Sequence, residues 1–575
     1  MNLLGILYLN QDPAASLIMD GKIIAIVEEE RFVRKKHAFG HFPKESINFC
    51  LNEGKISMKD IDFITIGWDV NAYSTIVKDH FEKTKEEYPM KDEMTLQWEK
   101  RLLKRYNKEN YLKTIYEELI KCGYSKNQIP PIKFFGHHYS HAVSAYFASG
   151  FNDAVILTID GHGEHNSTVI WVANNGKIKK IKEINIPHSL GWFYAAITRF
   201  CGFRPNDGEG KTMGLAPYGK PNLKIRDFIN EMCRIKEMDY EIDPTYLFYS
   251  KRSFAKEFTD KFVERLGMPR RENEKIQQHH KDTAYEAQKL LEKIVLHLVE
   301  SLIEHTGIKN VCLAGGVALN CKMNGVIHSS SKVNKLFIQP ISNDVGTTFG
   351  SSLALCLERG IDISQFKMNH VCFGPEFSNE EIKKYLDSFS LDYKYEPKIE
   401  YETAKYLSNG MIVGWFQGKM EVGARALGNR SILADPRDIK MKDKVNNKVK
   451  YREPWRPFCP SILEEYKEDY FIKPISHPFM ILTFKIKENK ISEIPSVVHI
   501  DKTARVQTVK KEDTPMFWTL INEFRKITGI PVLLNTSFNI RGEPIVCTPK
   551  DAIEDFLRTG IDILAIGNYV VMKGR

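Results

Sequence analysis

The chain has no CxxC pair, no dense cysteine framework, and no apolar run approaching the length that crosses a bilayer. Its ten cysteines are scattered over 575 residues, which excludes a disulfide-stapled secreted scaffold and fits reduced thiols. The opening stretch MNLLGILYLNQDPAA is too short, and lacks the basic flank, to read as a secretory signal, so a cytoplasmic location away from membranes is expected. No block of Lys and Arg stands out. A net charge of +9 is mild for this length and suits phosphate-bearing small ligands at least as well as a nucleic-acid surface. What is present is ordinary for a soluble globular protein: 42% hydrophobic and 27% charged residues. The length exceeds one hydrophobic core, so two or more domains are expected.

The N-terminus reads as LLGILYLN, a turn at Gln11–Pro13, AASLIM, the hairpin signal Asp20-Gly21, then KIIAIVEEE. The pattern returns at Ala154 with AVILTIDGHGE and STVIWVANNGKIKKIKEI, where Asn175-Gly176 supplies the turn. Each copy sends a buried-type strand into a loop carrying an aspartate, Asp12 or Asp160. This predicts a duplicated α/β domain around a ligand cleft; two unrelated hairpins are the plainer alternative. Residues 79–120 are highly charged with interspersed apolar residues and read as solvated helices. Ala284, Ala287, Leu291, Ile294, Leu298 and Leu302 form a helical stripe that ends at Gly307. Gly315-Gly316 then marks a strand-to-helix turn, where backbone can approach a ligand or simply turn tightly. Residues 376–410 read as a helical linker.

Two clusters suggest chemistry. In HHYSHAVSAYF, His137 and His141 are spaced i, i+4, so a helix sets them on one face. Such a pair clamps a metal in some proteins and is a structural or surface feature in more. Beyond residue 376, cations sit beside glycines in GWFQGKMEVGARALGNRS, VKYREPWRPFCPS, ARVQTV and LNTSFNIRGEP. Surface ion pairs explain some of these; convergence on an anion such as phosphate explains the set better.

Seven segments in order, EEERFVRKKH (28–37), HHYSHAVSA (137–145), DGHGE (160–164), GEGKTMGLAPYG (208–219), LAGGVALN (313–320), GARALGNRS (423–431) and NTSFNIRGEP (535–544), resemble the O-carbamoyltransferase family. That family is typified by the nodulation-factor and tobramycin carbamoyltransferases. The resemblance implies an α/β protein with a duplicated actin-like ATPase domain over 1–375, akin to tRNA threonylcarbamoyl synthases, and a YrdC-like α/β domain over 376–575. It implies one metal, iron in the family, on His137, His141, Asp160 and Asp344; two imidazoles and two carboxylates equally suit Mn(II) or Zn(II). His138 would be structural.

The implied chemistry has two steps. The YrdC-like domain makes carbamoyl-adenylate from carbamoyl phosphate and ATP, with Mg2+ accompanying ATP. The actin-like domain then passes the carbamoyl group to a hydroxyl of a small acceptor, a sugar or natural product such as an antibiotic precursor. Arg425, Lys450, Arg456, Arg505 and Ser537 match the family's phosphate and carbamoyl contacts, where cations suit accumulating negative charge. Lys36, Gly315, Gly316 and Asn320 match its nucleotide-facing positions. A homodimer is compatible with this picture. One departure matters: the family usually has His-Asp-Ala-Ser-Ala at the first turn, and here Gln11-Asp12-Pro13-Ala14-Ala15 stands there. A glutamine amide cannot act as a base, which puts the acceptor step in question. A threonylcarbamoyl-type tRNA enzyme and an adenylate-binding homologue with altered catalysis are the competing readings.

Overall fold

The computed structural model describes residues 1–249, 257–453 and 455–573. Its first sheet holds β1 (Asn2–Leu7), β2 (Ala14–Met19), β3 (Lys22–Glu28), β4 (Phe63–Ile66) and β5 (Ile132–Phe134) in the order β3-β2-β1-β4-β5. A second sheet repeats the plan with β6 (Asp153–Ile159), β7 (Asn166–Asn174) and β8 (Lys177–Asn185). A short hairpin of β9 (Cys233–Lys236) and β10 (Asp239–Ile242) follows, and β11 (Asn310–Ala314) and β12 (Lys335–Ile338) complete the sheet as β12-β11-β6-β7-β8. Position for position the two orders are the same, so the internal duplication read from the two hairpins is present. In both copies the first strand runs parallel to the strand that follows a long excursion: β1 pairs with β4, and β6 with β11.

The connecting helices follow from apolar periodicity. The stripe beginning at Ala284 lies on the helix Gln278–Thr306, which Gly307 ends in a left-handed conformation. The charged stretch forms three helices, Ile76–Glu87, Glu93–Arg105 and Lys108–Lys121. They are not merely solvated: Phe81, Leu102, Tyr111, Ile115 and Leu119 are buried.

A third sheet is mixed and eight-stranded. Its strands are β13 (Tyr393–Tyr395), β14 (Val413–Phe416), β15 (Arg430–Ala434), β16 (Cys459–Leu463), β19 (Gln507–Val509), β20 (Val532–Ser537), β21 (Ile563–Ile566) and β22 (Tyr569–Met572), ordered β13-β22-β21-β14-β15-β20-β16-β19. β17 (Thr483–Lys485) and β18 (Thr503–Arg505) form a separate pair. The stretch 376–410 is not a linker. It contributes the helix Asn379–Ser388, the edge strand β13, and the helix Ile399–Ser408, whose Ile399, Ala404 and Leu407 join the core with Trp415, Phe517 and Phe524.

The chain divides into two compact units, but not at one point in sequence. Met1–Leu7, Ala15–Ile24 and Cys50–Lys367 form the first; Tyr8–Ala14, Ala25–Phe49 and Met368–Arg575 form the second. Beside the expected 1–375 and 376–575 division, Tyr8–Ala14 and Ala25–Phe49 thus pack with Met368–Arg575. Specific bonds explain why. Glu28 accepts from the Gly423 N–H at 2.8 Å, Arg31 donates to the Gly423 carbonyl at 2.8 Å, and Arg34 donates to the Ile545 carbonyl at 2.8 Å. Among the described residues, no helix is long and apolar enough to cross a membrane.

Candidate functional site

The HHYSHAVSA segment is the start of the helix His137–Ser149, which follows Gly136 and is buried along nearly its whole length. Its small residues permit this. A Cβ at Gly350 on the neighbouring helix Gly346–Glu358 would fall 2.2 Å from the Ser140 carbonyl oxygen, so only glycine allows the two helices to meet so closely. Glu164 fixes the helix start, its Oε1 accepting from the N–H groups of His137 at 3.0 Å and Asp69 at 2.7 Å.

His137 and His141 present their Nε2 atoms to two carboxylates. Asp160, at the end of β6, lies 3.7 Å from His137 and 3.4 Å from His141; Asp344, in the turn after β12, lies 3.8 Å from His137. One donor atom from each of the four falls within 4.8 Å of all the others. Both imidazoles are fully buried, and none of their four nitrogens has a hydrogen-bond partner. Leaving a buried polar atom unsatisfied costs about 1–3 kcal/mol, so the fold holds these rings in place for something else. The donor set fits a divalent transition metal. His138 is turned away, bonded to the Thr158 hydroxyl at 2.9 Å and the Asn166 carbonyl at 3.2 Å, a structural role as expected.

The electrostatics agree. Burial pulls the His137 pKa down, but Asp160, Asp344 and Glu164 together outweigh it and hold it at about 9. Burial, aided by the His137 charge, lowers His141. Burial also works against the Asp160 carboxylate, yet the two imidazoles hold it well below the usual range.

The Gly315-Gly316 turn buttresses this cluster. Gly315 has φ +87°, and a Cβ there would lie 2.2 Å from the Ile159 carbonyl oxygen. The Gly316 N–H donates to Asp160 Oδ2 at 3.0 Å. Asn320 caps the helix Cys321–Ser329 through the Met323 N–H and exchanges hydrogen bonds with the Gln288 amide.

The other site residues gather in the second unit. Lys450, buried, donates from Nζ to the Ser537 carbonyl at 2.6 Å, the Asn539 carbonyl at 3.0 Å and Asn539 Oδ1 at 2.7 Å. Burial pushes its pKa well down, and Arg452, Arg456 and Lys36 push the same way. Arg452 is lowered to about 9, by burial first and then by Arg456 and Arg505. Lys36, Lys450, Arg452, Arg456 and Arg505 thus form one crowded set of cations. Arg425 lies in the loop between β14 and β15, with Nη1 on the Ala424 carbonyl at 3.1 Å.

Two residues escaped the sequence reading. Arg452 lies two positions after Lys450 in a segment already marked as cationic. His37 closes the EEERFVRKKH segment, and its Nδ1 is hydrogen-bonded to Asp12 Oδ1 at 2.7 Å beside Gln11. Asp12, Glu30 and His37 also group closely. Glu30 there accepts from the His37 N–H and faces Arg31, so the group reads as a held imidazole rather than a metal site.

Comparison with known proteins bears on both units. The family model for the carbamoyltransferase N-terminus matches residues 2–353, and that for the carbamoyltransferase C-terminus matches 404–573. The uncharacterized protein sll1178 of Synechocystis sp. is 38% identical over 100% of this chain and 97% of its own length. Nodulation protein NolNO of Sinorhizobium fredii is 36% identical over 98% of this chain and 79% of its own. Among solved structures, HypF of T. kodakarensis aligns over 64% of this chain and 50% of its own, at 13% identity and a TM-score of 0.32. With both halves matched and full-length relatives above 30% identity, the chain belongs to the carbamoyltransferase family.

Proposed function

We propose that the protein is an ATP-dependent carbamoyltransferase working in two half-reactions. In the first, carbamoyl phosphate, ATP and one water give carbamoyl-adenylate, phosphate and pyrophosphate. In the second, an acceptor hydroxyl attacks the carbamoyl carbon, giving an O-carbamate and AMP. The carrying observation is the gathering of Lys36, Arg456 and Arg505 about Lys450 and Arg452, whose pKa values are held down by burial first and then by these neighbouring cations. Cations packed this way favour a polyanion, and an anion placed among them relieves the repulsion.

Within this site Lys450 spends its N–H donors on Ser537 and Asn539, so it fixes those two residues and acts on phosphoryl oxygens through its charge. Arg452 is fixed by a 2.8 Å bond from Nε to Asn446 Oδ1 and by stacking on Phe458 at 4.5 Å. The second half-reaction is assigned to the first unit. There His137, His141, Asp160 and Asp344 would hold Fe(II), Mn(II) or Zn(II), which would supply Lewis-acid stabilisation of negative charge. The Gly316 N–H and the Gly161 N–H, the latter at 2.7 Å from Asp160 Oδ1, keep that carboxylate oriented. Gln11 cannot act as a base; in the second unit the imidazole beside Asp12 is His37.

The test is product analysis with the full chain, carbamoyl phosphate and Mg-ATP, without any acceptor. Phosphate and pyrophosphate should appear together, with carbamoyl-adenylate bound to the protein. Phosphate release without pyrophosphate would overturn the adenylate route.

A further inference from the structure

The loop that carries Arg425 is fixed to an extent that joining two strands does not require. Over 421–430 only Ala424 is exposed and only Arg425 and Asn429 are half-buried; the other residues are buried. Every backbone N–H from Leu427 to Arg430, and every carbonyl from Ala426 to Asn429, has a partner. The Gln507 amide donates to the Leu427 carbonyl at 2.7 Å, and the Trp415 indole to the Gly428 carbonyl at 2.8 Å. Gly428 itself has φ +108°, with the Phe517 ring 2.2 Å from where a Cβ would stand, so only glycine fits there.

Glu421 organises this turn. It is buried, and its Oε1 accepts from the N–H groups of Leu427 and Asn429, both at 2.7 Å, and of Arg430 at 3.3 Å. Three N–H donors converging on one oxygen make a backbone concavity built around an anion. The other oxygen, Oε2, is buried with no hydrogen-bond partner. Burying an ionised carboxylate only half satisfied is costly, so stability alone does not account for it. Arg430, fully buried over the Phe416 ring at 3.7 Å, answers its charge from one side. Burial lowers that guanidinium to about 10, and Glu421 is foremost among the groups opposing the shift. On the other side of Arg425, Glu28 holds the Gly423 N–H at 2.8 Å. Two carboxylates thus anchor the backbone before and after Arg425.

Resting on the reading of Arg425 as a contact to the carbamoyl donor, we propose that Glu421 is a positioning residue for that contact. By gathering the N–H groups of Leu427, Asn429 and Arg430, it fixes the backbone on which Arg425 stands. A guanidinium binds phosphoryl or carbonyl oxygens through a rigid planar fork, so its value depends on where its backbone is held. Glu421 is buried beneath the loop and acts on the first half-reaction through Arg425. Gln507 supports the same turn from the Leu427 carbonyl.

The experiment uses the full chain. It measures pyrophosphate release with carbamoyl phosphate and Mg-ATP varied separately, and carbamoyl phosphate affinity by calorimetry. Glu421→Ala should lower kcat/KM for carbamoyl phosphate roughly 10- to 100-fold, through a raised KM for the donor, with the KM for ATP little changed. Glu421→Gln keeps an oxygen for the three N–H groups and should restore most of the loss. In an Arg425→Ala background, Glu421→Ala should cost less than about twofold more, because nothing is left to position. Gln507→Leu should give the same donor-specific pattern, and it serves where Glu421→Ala does not fold. Additive losses in the double variant, equal rises in KM for both substrates, or no rescue by glutamine would overturn the positioning role. Unchanged donor KM in Glu421→Ala, with pyrophosphate release intact in the parent, would overturn it and leave the adenylate reading standing. A parent that binds carbamoyl phosphate but releases no pyrophosphate would overturn the adenylate reading instead, and donor affinity in the same variants then decides the role of Glu421. A parent that binds no carbamoyl phosphate overturns both.

Discussion

Replacing His141 with alanine tests the four-donor cluster directly. In the parent, this ring is fully buried and neither nitrogen has a hydrogen-bond partner. Each unsatisfied buried polar atom costs about 1–3 kcal/mol. Deleting a packed ring leaves a cavity that costs a comparable few kcal/mol. The two effects oppose each other, so the metal-free variant should unfold within about 1 kcal/mol of the metal-free parent. With metal the proteins should diverge, because an ion present at a hundred times its Kd adds about 2.7 kcal/mol of stability. The parent's thermal midpoint should therefore rise with added Fe(II), Mn(II) or Zn(II), while that of His141→Ala hardly moves.

The pH dependence has a definite sign. His137 is held at about 9 because Asp160, Asp344 and Glu164 outweigh its burial, so below that pH it carries a proton that an entering ion must displace. Metal affinity of the parent should climb about tenfold per pH unit from pH 7 to 9, then level off. Calorimetry in buffers of different ionisation enthalpy counts the released proton. Full metal occupancy in His141→Ala by elemental analysis, or affinity that is flat from pH 7 to 9, refutes the reasoning.

Arg505→Ala, Ser537→Ala and Arg452→Met should each abolish or cripple phosphate and pyrophosphate release. All three should still transfer carbamoyl from supplied carbamoyl-adenylate, and equal loss of both activities in a folded variant would contradict the division of labour. Gly315→Ala forces a side chain to φ +87° and 2.2 Å from the Ile159 carbonyl; a loss of more than about 1 kcal/mol in denaturant unfolding is expected, and an unchanged midpoint would show that the turn relaxes freely. Gln11→His should leave adenylate formation unchanged and accelerate transfer to a simple alcohol. Its single-turnover pH profile should gain a limb near about 6.5; coincident profiles would mean that position 11 does not handle the proton.

Local chemistry determined a good deal of this molecule from sequence alone. Asp20-Gly21 and Asn175-Gly176 each close a hairpin, because only residues tolerant of positive φ make so tight a turn, and both adopt it. The stripe ending at Gly307 is a helix for the same kind of reason: its period and its left-handed cap are local. The i, i+4 spacing of His137 and His141 set them on one face before any partner was known. Tertiary structure decided the rest. Only the fold brings Asp160, from the end of one strand, within 4 Å of both imidazoles and Asp344, from a turn nearly two hundred residues later, within 4 Å of His137. Only the fold assigns 25–49 to the second unit, through Arg31 and Arg34 reaching backbone carbonyls that no pattern encodes. It also joins His37 to Asp12 and sets the Gln507 amide on the Leu427 carbonyl. Hairpins, caps and stripes depend on a few consecutive dihedrals and a period. Sites depend on distances between residues remote in the chain, and those are fixed only once the sheets and helices have packed.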